Sequence, residues 1–218
     1  AVEELGAALA CGPLFGTVFL AIPALVAASA GPARDELLAE LVEGRRTAAF
    51  AVPDRSGAVD ASLVDVTATP SGDAWTLTGT VHGVVDAGAA DELLVAAIGP
   101  DGVGLFAVDA AGAGVERTNQ LTVDQTRPQA VVTLSAAPAR LLAGPDEAER
   151  VVDHAFQVAS ALLAVEQVGA AQHMLDVAVQ YAKERLQFGR PIGSFQAVKH
   201  RLADMMVDLE HARSTAYH

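Results

Sequence analysis

The stretch YAKERLQFGRPIGSFQ, residues 181–196, gathers the residue types best suited to chemistry. Arg185 carries a planar guanidinium fork that matches the two oxygens of a carboxylate or a phosphate. Phe188 offers a flat apolar face, Gly189 removes a side chain from the turn, and Pro191 stops a helix from continuing. A charged fork beside an aromatic plate can hold a nucleotide diphosphate. The same residues also suit a plain helix-hairpin corner, with Arg185 capping carbonyls and Phe188 in the core. The pattern alone leaves both readings open.

Other reactive residue types carry less. His82, His154, His173, His200, His211 and His218 are scattered and show no HExxH-type metal spacing. Ser194 suits a helix N-cap better than a nucleophile, since no His–acid pair is spaced to activate it. The glycines of DAAGAGVE (residues 109–116) precede no helix, so they predict a turn and not a phosphate loop. DQTRPQ (residues 124–129) reads as a loop in which Arg127 is available for a salt bridge.

The formal net charge of −13 repels phosphate backbones and argues against nucleic-acid binding. Half of the 218 residues are apolar but only 5% are aromatic, so the core must be built from Ala, Val and Leu. Cys11 is the single cysteine, which excludes a disulfide framework or a cysteine metal site and makes a reducing, cytoplasmic setting the default. Glu3 and Glu4 stand where a signal peptide would be basic. The apolar run at residues 14–28 falls short of the about 20 residues needed to span a bilayer and contains Pro23, so it predicts buried core helices and no membrane span. The chain stops at ARSTAYH within a helical pattern, as a piece of a longer protein would.

These residues are positioned by three regions of different texture. Residues 1–46 have apolar spacings of three and four, with Gly44 as a helix stop. Residues 47–143 alternate as strands: Leu63, Asp65 and Thr67 oppose Val64 and Val66, a turn follows at Pro70, Ser71, Gly72 and Asp73, and Trp75, Leu77, Gly79 and Val81 alternate on the return. Pro100, Asp101 and Gly102 mark a second hairpin, and two further strands follow. Residues 144–218 return to helix, with Asp146, Glu147 and Glu149 at the positive end of a long Ala-rich helix. A last helix is predicted to start at Ser194 and to bury the stripe Phe195, Val198, Leu202, Met205 and Leu209. The expected fold is α+β and multidomain: a helical N-terminal part, a middle antiparallel β-barrel or sandwich of about seven strands, and a C-terminal helical bundle.

The elbow resembles a motif of the acyl-CoA dehydrogenase family, R-x-x-F-G-x-x-I-x-x-F-Q, matched here by Arg185, Phe188, Gly189, Ile192, Phe195 and Gln196. The helix–β–helix order is similar too, so the resemblance extends over essentially the whole chain, incomplete at both ends. It implies α,β-desaturation of an acyl-CoA thioester: a carboxylate takes the α-proton, the β-hydrogen leaves as hydride to FAD, and an electron-transfer flavoprotein reoxidises the flavin. It also implies that Arg185, Gln187, Phe188 and Phe195 touch an FAD shared across a subunit interface, with Arg185 on the pyrophosphate.

Several positions depart from the family pattern. The family's T-E-P-x-A-G-S-D is replaced by AFAVPDRSGAVD, with Val52, Pro53 and Asp54 in place of Thr-Glu-Pro and only Ser56 and Gly57 similar to the remainder. Val81, Gly83 and Val85 stand where the family has a Lys, a flavin-covering aromatic and a hydroxyl residue. The family's Arg about 25 residues before the elbow falls at Ser160, and the catalytic Glu of one branch falls at Ala159. Glu166, two turns further along, is a poor substitute. Groups facing this subunit's own flavin are lost, while those reaching a neighbour's flavin remain. A hetero-oligomer can divide the two sets, as in heteromeric actinobacterial acyl-CoA dehydrogenases acting on bulky thioesters such as steroid side chains. The chain therefore resembles the degenerate subunit of such an enzyme, catalytic residues none and metal none, with a homologous dehydrogenase subunit as partner. A homomeric dehydrogenase with its Glu beyond residue 218 and a flavin-free structural homologue are the alternatives.

Overall fold

In a computed structural model of the chain, residues 1–52, 64–72 and 74–218 are described. Pro53, Asp54, Ser56, Gly57, Leu63 and Asp73 lie outside them. The chain divides into two compact units, Cys11–Ala159 and the combination of Ala1–Ala10 with Ser160–His218.

The Cys11–Ala159 unit is built around strands β1 (Ala48–Ala51), β2 (Val66–Ser71), β3 (Ala74–Val85), β4 (Glu92–Gly99), β5 (Gly102–Asp109), β6 (Val115–Gln120) and β7 (Gln129–Ala143). Hydrogen-bonded neighbours run from β4 through β2, β3, β7 and β5 and back to β4, so the sheet closes on itself as a barrel. Its interior is filled by Leu77, Val81, Leu93, Val95, Phe106, Val108, Val132 and Leu134. The expected alternation on β3 holds at Leu77 and Val81. Trp75 sets its ring edge-on to Phe106 at 5.3 Å. Gly79 is needed because a Cβ there would fall 2.0 Å from the Asp65 carbonyl oxygen. One expectation needs correction. The barrel is not purely antiparallel, because β1 and β2 run parallel to β4. The β2–β3 hairpin separates β1 from β4, so no tight turn forces those two strands to oppose each other.

The apolar run at residues 14–28 forms a π-helical segment, Leu14–Ala21, followed by α2 (Ile22–Ala27), with Pro23 in the first turn of α2, where its missing N–H is harmless. Phe19, Leu20 and Leu25 are buried, and among the described residues no helix is long and apolar enough to cross a membrane. The π-helical segment is pinned to the barrel twice. The Thr17 hydroxyl accepts from the Ala48 N–H at 2.9 Å and donates to the Ala48 carbonyl at 3.0 Å. Asp86, buried immediately after β3, accepts from the Gly16 N–H at 2.9 Å. Burial pushes the Asp86 carboxyl above its ordinary range, against the Gly16 hydrogen bond and the charge of Arg127. Arg127 itself lies over the Phe15 ring at 4.8 Å.

Helix α3 (Pro32–Val42) is held to the barrel through Glu92, whose side chain is 0% exposed. Glu92 Oε1 meets Arg140 Nη2 at 2.7 Å. Glu92 Oε2 lies 2.9 Å from Arg46 Nη2 as an ion pair without hydrogen-bond alignment. Arg46 and Arg140 reach Glu40 and Glu36 of α3 at 3.6 and 3.7 Å.

Helix α4 (Pro145–Glu184) opens with Asp146 and Glu147 in its first turn, as the charge pattern predicts. Its residues from Ser160 onward belong to the second unit with α1 (Val2–Ala7) and α5 (Gln196–Ala216). There α1 and α4 touch through reciprocal glycines: a Cβ on Gly6 would lie 2.0 Å from the Glu166 oxygen, and one on Gly169 would lie 1.8 Å from the Glu3 oxygen. The Glu3 carboxylate pairs with Arg213 and accepts from the Tyr217 hydroxyl at 2.6 Å. Val168, Leu175 and Leu209 form the apolar seam of this unit.

Two expectations at α5 are corrected. The helix starts at Gln196 with Phe195 at the cap position, and Ser194 ends a short 3₁₀ turn, Ile192–Ser194, without making a side-chain cap. That turn carries the chain into the helix, leaving the Phe195 carbonyl to accept from the N–H groups of Val198 and Lys199. Met205 is 47% exposed and lines an open groove between α4 and α5, so the predicted stripe is only partly covered.

Candidate functional site

The elbow is a miniature hairpin. Arg185 follows the last residue of α4. Its N–H donates to the Tyr181 carbonyl at 2.9 Å, and its carbonyl accepts from the Ile192 N–H at 2.8 Å, closing the loop. Between these bonds β8 (Leu186–Gln187) pairs with β9 (Arg190–Pro191), placing Leu186 opposite Pro191 and Gln187 opposite Arg190. Gly193 lets the loop tuck against α4, since a Cβ there would meet the Ala182 carbonyl oxygen at 2.8 Å.

Phe188 and Gly189 are the two turn residues, with φ of +52° and +76°. Positive φ at both positions is the two-residue hairpin geometry that favours Asn-Gly. Glycine adopts it freely, but a bulky aromatic there is an outlier that costs roughly 1–3 kcal/mol. Core burial does not offset that cost, because Phe188 is 90% exposed. Its ring has an edge-to-face neighbour in Phe195, at 6.1 Å and 86°. Arg190 in turn lies over the Phe195 ring, 4.2 Å from guanidinium carbon to centroid.

The four residues singled out by sequence therefore come together on one loop: Arg185, Gln187 and Phe188 are exposed and Phe195 is half-buried. The helix-corner reading is not what the loop does. Phe188 is not core, and the backbone of Arg185, not its guanidinium, closes the corner. Among the described residues no carboxylate pairs with Arg185 or Arg190, and Glu184 is engaged by the Gln180 amide. Residues 185–203 contain Arg185, Arg190, Lys199 and Arg201 and no Asp or Glu, in a chain of net charge −13. Arg190 is a loop residue that the resemblance to the family does not assign to the site. The sequence signal for it is the pairing implied by a two-residue turn at Phe188–Gly189.

The positions at which the family pattern breaks are placed as follows. Val81 is buried in the barrel wall, and Gly83 sits at an irregularity of β3 with φ of +68° and its N–H donating to Gln120 Oε1 at 3.2 Å. Among the described residues, a Cβ on Gly83 would have only Gln129 Oε1 within reach, at 3.6 Å. Val85 ends β3, and Ala159 is buried on α4. Val52 is buried after β1. Ser160 is exposed, and Glu166 lies where the α4 backbone meets α1.

Comparison with known proteins is consistent with this arrangement. Residues 149–218 match the family described as acyl-CoA dehydrogenase, C-terminal domain. Acyl-CoA dehydrogenase IpdE2 of Mycolicibacterium smegmatis is 56% identical over 59 residues, 27% of this chain and 19% of that protein. Among solved structures, the Tcur3481-Tcur3483 steroid ACAD G363A variant is 36% identical, with a TM-score of 0.81 over 99% of this chain and 57% of that one. The ChsE4-ChsE5 complex from Mycobacterium tuberculosis is 30% identical, with a TM-score of 0.82 and the same coverage. The chain thus spans less than two thirds of each of these relatives. The C-terminal third of the chain matches the acyl-CoA dehydrogenase C-terminal domain, and the chain as a whole is similar in its loop motif and its helix–barrel–helix order to solved acyl-CoA dehydrogenases.

Proposed function

We propose that this chain is a subunit of an FAD-dependent acyl-CoA dehydrogenase and contributes its 185–196 loop to a flavin held mainly by a homologous partner subunit. One observation carries the reading: Phe188 is held, exposed, in a backbone conformation that disfavours it, on the same loop as an exposed guanidinium that no described carboxylate pairs with. Strain of that kind persists where a ligand uses the geometry. The residues present fit the ADP half of FAD: a forked cation for the diphosphate, a ring for a flat contact, and the Gln187 amide for a polar edge.

Bound FAD supplies the acceptor for the hydride that leaves the acyl β-carbon. In this reading Arg185 binds and orients the diphosphate, and Phe188 and Phe195 exclude water from its edge. The proton-abstracting carboxylate comes from the partner, because Ala159 offers no acid–base group and Gly83 offers no ring to cover a flavin. The likeness to a steroid ACAD and to the ChsE4-ChsE5 pair supports a bulky, steroid-type CoA thioester as substrate. An electron-transfer flavoprotein is the electron acceptor.

Purification tests this. The chain alone should be colourless, and it should yield a yellow complex when produced with its partner dehydrogenase subunit. In that complex Arg185→Ala should weaken FAD retention by about 2–4 kcal/mol, the scale of a lost bidentate charged contact. A chain that is yellow by itself would instead be a homomeric dehydrogenase. Full flavin occupancy in the Arg185→Ala complex would overturn the role of the loop.

A further inference from the structure

We propose that Arg190 is a second cation of the same anion site and the residue that makes the loop selective for a diphosphate rather than for any flat aromatic ligand. This rests on the reading above that the loop meets FAD.

Three observations converge. In the β8–β9 ladder Arg190 is directly opposite Gln187, so the two side chains project from the same face of the hairpin. The Arg190 guanidinium lies over the Phe195 ring, 4.2 Å from its centroid, and Phe195 in turn stands edge-to-face with Phe188. A guanidinium held over a ring has five N–H donors, and the ring supplies no carboxylate or carbonyl oxygen to satisfy them. Finally, the segment has no acid of its own to satisfy those donors, since residues 185–203 hold no Asp or Glu and no described carboxylate pairs with Arg190.

The stack therefore does two things. It fixes the orientation of Phe195, and through it the ring of Phe188. It also holds a second charge on the face that carries Gln187, in the segment that carries Arg185. A diphosphate with two negative charges uses both guanidinium groups, whereas a single phosphate or an uncharged ring needs one or neither.

The test uses the flavin complex of this chain with its partner subunit and measures FAD dissociation at low and high salt for Arg190→Met and Arg190→Lys. Met keeps the stem over Phe195 and removes the charge; Lys keeps the charge and removes the planar stack. Arg190→Met should weaken FAD about tenfold at low salt, and the deficit should shrink at high salt, where screening already removes the charge contribution. Arg190→Lys should retain most of the affinity. Unchanged FAD affinity in Arg190→Met, or an equal loss at both salt levels, would overturn the proposal, the latter because it marks a packing role alone. Arg185→Ala measured alongside separates the two ideas: if it loses FAD while Arg190→Met does not, only this inference fails, and if neither loses FAD the loop does not meet the cofactor.

Discussion

Phe188 leans its ring edge against Phe195, 6.1 Å between centroids, from a backbone position at φ +52° that a side chain of its size avoids. Position 188 therefore carries opposing demands. Phe188→Asn should raise the stability of the free chain by about 1 kcal/mol, because Asn tolerates the left-handed region and Asn-Gly suits the turn. The same change should reduce flavin retention in the complex. Chemical unfolding of the free chain and flavin content of the complex read the two effects, and movement of both in the same direction would remove the case for functional strain.

The α1–α4 contact tolerates no added methyl group. Gly6→Ala would put a Cβ 2.0 Å from the Glu166 carbonyl oxygen, and backbone cannot rotate out of the way as a side chain can. The cost should be about 1–3 kcal/mol, the range for overpacking, and it should appear first as faster hydrogen exchange within α1. Protection in α1 equal to that of the parent chain would contradict the close packing.

Glu92 is fully buried between Arg46 and Arg140. Arg140→Ala leaves its carboxylate with one cation, and the expected loss is on the order of 2–3 kcal/mol, below the usual value for a broken buried pair because Arg46 remains. Replacing Glu92 by Met together with the Arg140 change should cost less than the two single changes summed, and a double-mutant cycle measures that coupling. Strict additivity would mean that the two residues do not share one network.

Asp86 gives a pH signature. Burial raises its folded-state pKa above the unfolded value, so between those values the folded chain binds more protons than the unfolded one, and stability falls as pH rises across that window. Asp86→Asn keeps an acceptor for the Gly16 N–H and removes the charge. It should be more stable than the parent at neutral pH, with the difference vanishing as pH drops below the ordinary carboxylate value of about 4. Urea unfolding of both chains at several pH values decides it; a pH-independent difference would show that Asp86 does not titrate within this window.

Much of the architecture was legible from local chemistry. The two hairpins announced themselves through Gly72 and through Pro100–Gly102, and the long helix through its apolar spacing and acidic first turn. What escaped depends on partners distant in sequence. That β1 runs parallel to β4 follows from the path of the intervening hairpin, which no spacing within Ala48–Ala51 encodes. The π-helical form of Leu14–Ala21 is fixed by Thr17 and Asp86 meeting groups far along the chain. Ser194 has the composition of a cap, yet the 3₁₀ turn places Phe195 at that position. At the candidate site, the family resemblance implied Arg185, Gln187, Phe188 and Phe195. Arg190 became visible only through the ladder that faces it to Gln187 and the ring beneath it.

Gly6 and Gly169 have a consequence for how this molecule can change over time. Where two large side chains meet, enlargement of one can be offset by trimming the other, and a second-site suppressor exists. Here each surface has already been reduced to hydrogen, so neither has an atom left to surrender. A genetic screen for revertants of an enlarged residue at either site should recover the original codon, or lesions that move whole helices, and not a compensating change across the seam.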